Sequence, residues 1–382
     1  MKTVTSSLTL APRSERQDCS PRPAQVQIEC YEDQVPAFAV SEIDRLYGHL
    51  YCSPRYFEMA HAMQGASVYV AREGGSCIAV LPYRIAGGAV TVVSEYLTLD
   101  EQELARFAAH MFSRYRFVKR VTFPRVHAQG RVPGFACHAM VCSEDMVVTL
   151  PETVKDYEAA VGKNMRRNIK RYSSALAKAF PSYRYELYLE RDISEQDLRD
   201  IVALSCMRMK SKNIVPRFDE TEIRWIVDFA KECGIVGVAR IDGKVCAGAI
   251  GFRIGDNYFM HVIAHHPQYN DYSLGILCYY HTICEGIARG GKRFHLLQGR
   301  YGYKYRLLAE RRDIVHLDIY RSRRALLASP AHVARKEAKG RIWLAKQWLL
   351  HDLEHKEGTS YRLLARAVNF LRRTKRSKGS AE

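Results

Sequence analysis

No stretch of this 382-residue sequence approaches the roughly 18 apolar residues that a spanning helix needs. The opening residues, MKTVTSSLTLAPRSERQ, place no apolar core before their charges, so no secretory signal is read there and a soluble, cytoplasmic protein is expected. Paired cysteines are missing as well. The 11 cysteines are odd in number, scattered, and set mostly in apolar runs such as SCIAV and KVCAGAI, with no C-x-x-C among them. That excludes a disulfide framework and a zinc knuckle, and leaves Cys137 and Cys142 as core or loop thiols. No G-x-S-x-G nucleophile elbow and no H-E-x-x-H or H-x-D metal pattern is read along the chain. The grouped histidines His261, His265 and His266 lack a carboxylate at ligand spacing, so no metal is expected.

What the chain has in excess is positive charge. Its 58 Lys and Arg against 41 Asp and Glu leave +17, which calls for an anionic partner. Nucleic acid, a lipid surface, a nucleotide-bearing acyl donor and an acidic glycan all satisfy that. Apolar residues at 47% and aromatics at 10% are enough for a sizeable core, and the length suits two domains with tails.

Residues 1–25 are polar and proline-bearing, and read as a disordered leader. From Ser41, SEIDRLYGHLYCSPRYFEMAHAM reads as a helix, a break at Ser53-Pro54 and a second short helix. Gly-Gly pairs at 74–75 and 87–88 then divide a β-rich segment into three strands, and EQELARFAAHMFSRYRF is an amphipathic helix. VKRVTFPRV and DMVVTLP are strand candidates. The order recurs later, with TEIRWIVDFAKECG as a helix capped by Gly234 and three strands turning at Asp242-Gly243 and Gly255-Asp256. VAREGGSCIA from Val70 and VARIDGKVCA from Val238 share a pattern whose arginines and turn glycines both lie 168 positions apart. An internal duplication of one α/β unit follows.

Between the halves, GKNMRRNIKRYSSALAK has two faces at helical spacing. Met165, Ile169, Tyr172 and Leu176 fall on one side, and Lys163, Arg166, Arg167, Lys170 and Arg171 on the other. The cations read either as a solvated face or as a collector of phosphate and carboxylate groups. Past Tyr320 the chain becomes helical and basic, and RLLARAVNFLRR has the rhythm of a helix lying on an anionic membrane surface or packed on its own lobe.

The candidate site is the join between DNYFMHVIAHH, a strand, and GILCYYHTICEGIARGG, a helix ended by Gly290-Gly291. A strand that runs into a helix start presents unpaired N–H groups and the positive end of the dipole, where a pyrophosphate docks. Ser273 reads as the N-cap, and Gly275 lets a ligand approach the first turn beside Leu274. On the adjoining strand, His261 reads as core or as a proton carrier. In QGRYGYKYR, Gln298 and Gly299 would line the cleft, and Tyr303 and Lys304 would handle the proton, polarise a carbonyl or bind substrate.

These segments resemble the GNAT-type acyltransferases, and more closely the tandem-GNAT group of CelD-like cellulose-biosynthesis acetyltransferases and FemABX peptidyltransferases. The resemblance rests on KNMRRNIKRYSSALAK, SLGILCYYHTICEGIARGGKRFHLLQG and GRYGYKYRLL, and spans Ser41 to Tyr320. It implies an α/β (α+β) fold of two tandem GNAT-like lobes, each a mostly antiparallel mixed sheet flanked by helices. The lobes would be residues 26–160 and 161–325, followed by a basic helical tail at 326–382. The implied activity is transfer of an acyl group, acetyl in the first instance, from acyl-CoA to an amine or hydroxyl of a sugar, lipid or cell-envelope precursor. Aminoacyl-tRNA as donor is the FemABX-like alternative, and peripheral attachment to the inner membrane surface is compatible with either. The loop NDYSLGI departs from the family pattern by keeping one glycine and by carrying Asn270 and Asp271 where a basic residue is usual. The donor phosphates would therefore depend on the helix end and on cations from elsewhere. A non-enzymatic nucleic-acid-binding or membrane-surface role, with Tyr, Lys and Arg of GRYGYKYRLLAERR stacking on bases, ranks behind because no RRM, KH, helix-turn-helix or zinc-finger pattern is present.

Overall fold

The computed structural model describes residues 26–59, 63–211 and 218–349. The expected leader at 1–25 and the RLLARAVNFLRR segment lie outside the described residues. The strands are β1 Gln27–Tyr31, β2 Ser67–Glu73, β3 Ser76–Ala86, β4 Ala89–Val92, β5 Leu97–Thr98, β6 Arg120–His127 and β7 Ala136–Thr149 in the first half. The second half contributes β8 Arg184–Leu189, β9 Gly234–Ile241, β10 Lys244–Ile254, β11 Asn257–His265, β12 Arg293–His295 and β13 Glu310–Tyr320. They join in one sheet in the order β1-β2-β3-β4-β6-β13-β7-β12-β11-β10-β9-β8, with β5 beside β6.

The duplication is visible in the elements themselves. β3 and β10 begin at Ser76 and Lys244, and β4 and β11 at Ala89 and Asn257, each pair keeping the same 168-residue offset. Both meanders turn through paired left-handed residues, Gly74-Gly75 in one and Asp242-Gly243 in the other, which is the backbone a tight hairpin requires. A helix follows each meander, Glu101–Arg114 or Leu274–Ala288, and then a strand parallel to the last one, β6 to β4 and β12 to β11. The second lobe's strand-to-helix join thus has a first-lobe counterpart that sequence comparison misses. The closing strands cross over. β7 pairs with β12 of the second half, β13 pairs with β6 of the first, and β7 and β13 pair with each other from Glu310↔Val147 to Tyr320↔Ala136. The lobes are therefore joined by main-chain hydrogen bonds.

β9, β10 and β11 are buried on both faces, which accounts for their nearly unbroken apolar runs. Ile235, Ala239 and Ala247 point toward the helix Leu274–Ala288, while Val236, Val238 and Phe252 point toward Ile201, Ile226 and Phe229 of the helices Glu195–Ser211 and Glu220–Cys233. Gly234 does not end its helix as a left-handed cap. Its φ of −72° is extended, and glycine is needed there because a Cβ would lie 2.3 Å from the Ala230 carbonyl. The basic helix forms over Lys163–Ala179 with the expected faces: Met165, Ile169 and Leu176 are buried, and all five cations are exposed.

The helix Pro330–Gln347 lies on β7 and is tied to β13 by a buried polar cluster. Asp318 accepts from Thr122 Oγ1 at 2.6 Å, His332 Nε2 at 2.8 Å and His316 Nε2 at 3.3 Å, with Arg120 at 3.6 Å. Burial alone would raise the Asp318 carboxyl, but His316, Thr122 and His332 outweigh it and hold it well below the usual range. A depressed carboxyl contributes stability above its unfolded value near 3.9, and that contribution is lost as pH falls through the folded value. Asp318→Asn should lower stability at pH 7 by about 3–5 kcal/mol in chemical denaturation. The gap from the unsubstituted protein should narrow below about pH 4.

Candidate active site

A cleft of about 900 Å³ opens where the two halves meet. The first half supplies Tyr51, Tyr56, Tyr96, Glu144 and Asp145. The second supplies Trp225 and Glu222, the Met260–Ile263 stretch of β11, and the segment Leu296–Gln298 with Tyr301, Tyr303 and Lys304. Geometry explains why it opens there. β11 and β12 pair in parallel only through Phe259↔His295, after which the chain leaves β11 and stays bonded to β7 alone. The Leu296 amide donates to the Met146 carbonyl at 2.7 Å, and the Met146 amide donates to Leu297 at 3.2 Å. The two parallel strands splay apart, and both sides of the gap line the cleft.

Lys304 keeps the splayed segment in place. Its ammonium, 2% exposed, donates to the carbonyls of Leu296 at 2.6 Å, Leu297 at 3.1 Å and Gln298 at 2.7 Å. Those three bonds occupy the ammonium's three protons and hold Leu297 in a left-handed conformation, φ +55°. Burial lowers the Lys304 pKa to about 8, against the opposing pull of Asp145 and Glu144. The sequence expectation that Lys304 reaches substrate thus meets an ammonium turned into its own chain.

The other expected residues fall into two groups. His261, Gln298 and Tyr303 do line the cleft, and Gly299 follows at φ +101°. His261 packs between Trp225 and Phe252, with ring centroids at 5.2 and 5.4 Å. Tyr303 lies over Tyr279 of the helix Leu274–Ala288, and burial raises its hydroxyl. Gln298 donates to Ser143 Oγ at 2.9 Å, beside the Tyr96 hydroxyl.

Ser273, Leu274 and Gly275 stand outside the cleft, at the start of the helix whose Tyr279 reaches it. Ser273 is not a side-chain cap. It is left-handed at φ +50°, and its carbonyl takes the Ile276 and Leu277 amides at 2.9 and 3.2 Å. The Leu274 side chain is fully buried, so that residue can offer a ligand only its amide. Gly275 is constrained from inside, since a Cβ would lie 3.0 Å from His265 Nδ1. The structure does bring the basic helix to this point. The Ser273 hydroxyl bonds Tyr172 and, with Arg171, lowers the Tyr172 pKa, while Arg171 Nη2 lies 3.3 Å from the Tyr172 hydroxyl. Arg166 is partly committed elsewhere, donating to the Glu158 and Ala159 carbonyls at 3.0 and 3.3 Å. In the first lobe the equivalent helix start carries Asp100 as cap, with Glu101 and Glu103 in its first turn, and so repels an anion.

Sequence reasoning missed the first half's contribution, Tyr51, Tyr56, Tyr96, Glu144 and Asp145. One signal was present: VCSEDMVVTL sets two adjacent carboxylates inside an apolar strand. Both are buried, Glu144 at 2.7 Å from Arg300 Nε and Asp145 at 2.6 Å from His295 Nδ1. Burial pushes the Asp145 carboxyl up, but His295 outweighs it and the net shift is down. Lys304 is the one cation among the described lining residues, against Glu144, Asp145, Asp219 and Glu222. Lys304→Met should expose the gap's dependence on that ammonium. It takes a donor from three carbonyls, of which only Leu297 keeps another in the Met146 amide, and should cost about 3 kcal/mol or more in urea unfolding. A lysine that served substrate alone would leave the unfolding midpoint unchanged.

Residues 163–305 match the acetyltransferase (GNAT) domain family. No curated protein matches the chain in sequence. FemX has the same fold, with a TM-score of 0.54 at 8% identity, over 76% of this chain and 96% of FemX. The C-terminal domain of a putative lysylphosphatidylglycerol synthetase from Agrobacterium fabrum aligns with 76% of this chain and 93% of its own, at 13% identity and a TM-score of 0.46. A tandem GNAT protein from the clavulanic acid biosynthesis pathway aligns with 77% of this chain and 98% of its own, at 9% identity and a TM-score of 0.37. The second half therefore carries an acetyltransferase (GNAT) domain, the first half repeats its element order, and the chain has the fold of FemX.

Proposed function

We propose that this protein transfers an acyl group from acyl-CoA or a related carrier to an amine of a sugar, lipid or cell-envelope precursor held in the cleft. The observation that carries this reading is the gap between β11 and Leu296–Gln298, which opens into the cleft beside the helix Leu274–Ala288. A thioester supplies an activated carbonyl, and this chain supplies position and charge. The amides of Leu274 and Gly275, the helix dipole, and the nearby cations of Arg171 and Lys170 suit the donor's phosphates. The cleft's carboxylates favour an acceptor amine over a neutral hydroxyl, and its aromatic walls suit the apolar face of a sugar ring. His261 and Tyr303 are the proton carriers nearest that volume.

The exposed cations at Lys163, Arg167 and Lys170 support aminoacyl-tRNA as a second donor class, and contact with an anionic membrane surface as a means of reaching lipid-linked acceptors. No described helix is long and apolar enough to cross a membrane.

Calorimetry with acetyl-CoA, longer acyl-CoAs and charged tRNA separates the donors. For a CoA thioester, Lys170→Glu with Arg171→Glu should weaken binding on the order of tenfold, about 1.4 kcal/mol, without a change in melting temperature. For tRNA, affinity should instead fall steeply with salt. Tight thioester binding indifferent to both substitutions would remove the basic helix from the donor site. His261→Gln should lower kcat with little effect on donor KM.

A further inference from the structure

We propose that His49, Asp145 and His295 bind one divalent transition-metal ion at the inner end of the cleft. The inference is independent of the acyl-transfer reading. One ligand atom from each residue lies within 4.8 Å of the others. All three side chains are more than nine-tenths buried, at 5%, 1% and 4% exposure. They come from three separate elements: the loop after the helix Ala37–Tyr47, then β7, then β12. Asp145 also lines the cleft, so the site touches the reaction volume.

The unused valences single out this cluster. His49 Nε2, Asp145 Oδ1 and His295 Nε2 are buried atoms without a hydrogen-bond partner. Buried polar atoms are ordinarily paired, and of these three His49 Nε2 would bind the ion directly, while Asp145 and His295 would bind it through the atoms they now share. The fold contains its own control in His316, Asp318 and His332, the same residue types at similar spacing. There both Asp318 oxygens are taken, by Thr122 on one side and by the two imidazoles on the other, so protons already satisfy the cluster. His316 and Asp318 form an H-x-D pair that the sequence reading of metal spacings overlooked.

Two imidazoles and one carboxylate suit zinc, cobalt or iron(II) rather than magnesium or calcium. Ligation needs unprotonated rings. Burial, aided by the neighbouring His295, holds the His49 imidazole well below its usual range. An ion with bonds of about 2.0–2.2 Å would replace the proton that Asp145 Oδ2 and His295 Nδ1 share at 2.6 Å, and spread those atoms to roughly 3.3 Å. Loading through His49 Nε2 also gives up the 3.3 Å bond from the Tyr51 amide to Nδ1. One short and one long hydrogen bond are exchanged for three metal bonds.

The full chain, without an affinity tag and dialysed against EDTA, would be titrated with cobalt(II) and zinc. Uptake is read by d–d absorption for cobalt and by elemental analysis for zinc. One ion per chain is expected, with the cobalt bands lost in His49→Ala and His295→Ala and retained in His332→Ala. Zinc, and not magnesium, should raise the melting temperature of the unsubstituted protein. Failure of that protein to take up either ion overturns the proposal, whatever the variants do. Uptake that survives His295→Ala but disappears in His332→Ala overturns it too, by moving the ion to the second cluster.

Discussion

Lys304 binds the carbonyls of Leu296, Leu297 and Gln298, and so commits that segment to β7 rather than to β11. Without that commitment the parallel ladder begun by Asn257↔Arg293 could continue past Phe259↔His295, and β11 would have a neighbour where the cleft now opens. A buried ammonium is costly to desolvate, and three carbonyl acceptors are what offset the cost. The left-handed Leu297 is the local strain this arrangement sustains.

The gap has a partner only because the closing strands change sides. β13 inserts between β6 and β7, and β7 carries Glu144 and Asp145 to the border of the second lobe. The cleft is therefore built from both copies of a duplicated unit, although the helix start suited to an anion belongs to one. Asp100, Glu101 and Glu103 occupy the corresponding dipole in the first lobe. One lobe offers a binding end, and the other offers aromatic and acidic walls.

Charge is divided in the same way. The chain is strongly basic, yet the described cleft is lined by carboxylates and aromatic rings. The cations gather on the outer face of the helix Lys163–Ala179, close to the start of the helix Leu274–Ala288. An anionic carrier outside and an amine within would each meet the sign of charge that favours it.

Local pattern was enough for much of this. β-rich runs, glycine turns and the 168-residue repeat determined the two meanders, and helical spacing determined both faces of the basic helix, because these depend on local pattern along the chain. Gln298 and Tyr303 could be placed near a cleft because they follow a strand end, and His261 because it lies on the strand before the helix. What the fold alone decided depends on contacts between residues more than a hundred positions apart. The exchange of β7 and β13 leaves no periodic mark, since an edge strand and an inserted strand read alike. The roles of Ser273 and Lys304 turned on a backbone angle and on which carbonyls came within reach, and neither is encoded in residue type. His49, Asp145 and His295 are unremarkable singly along the chain, and only the packing of both halves on one sheet brings them together.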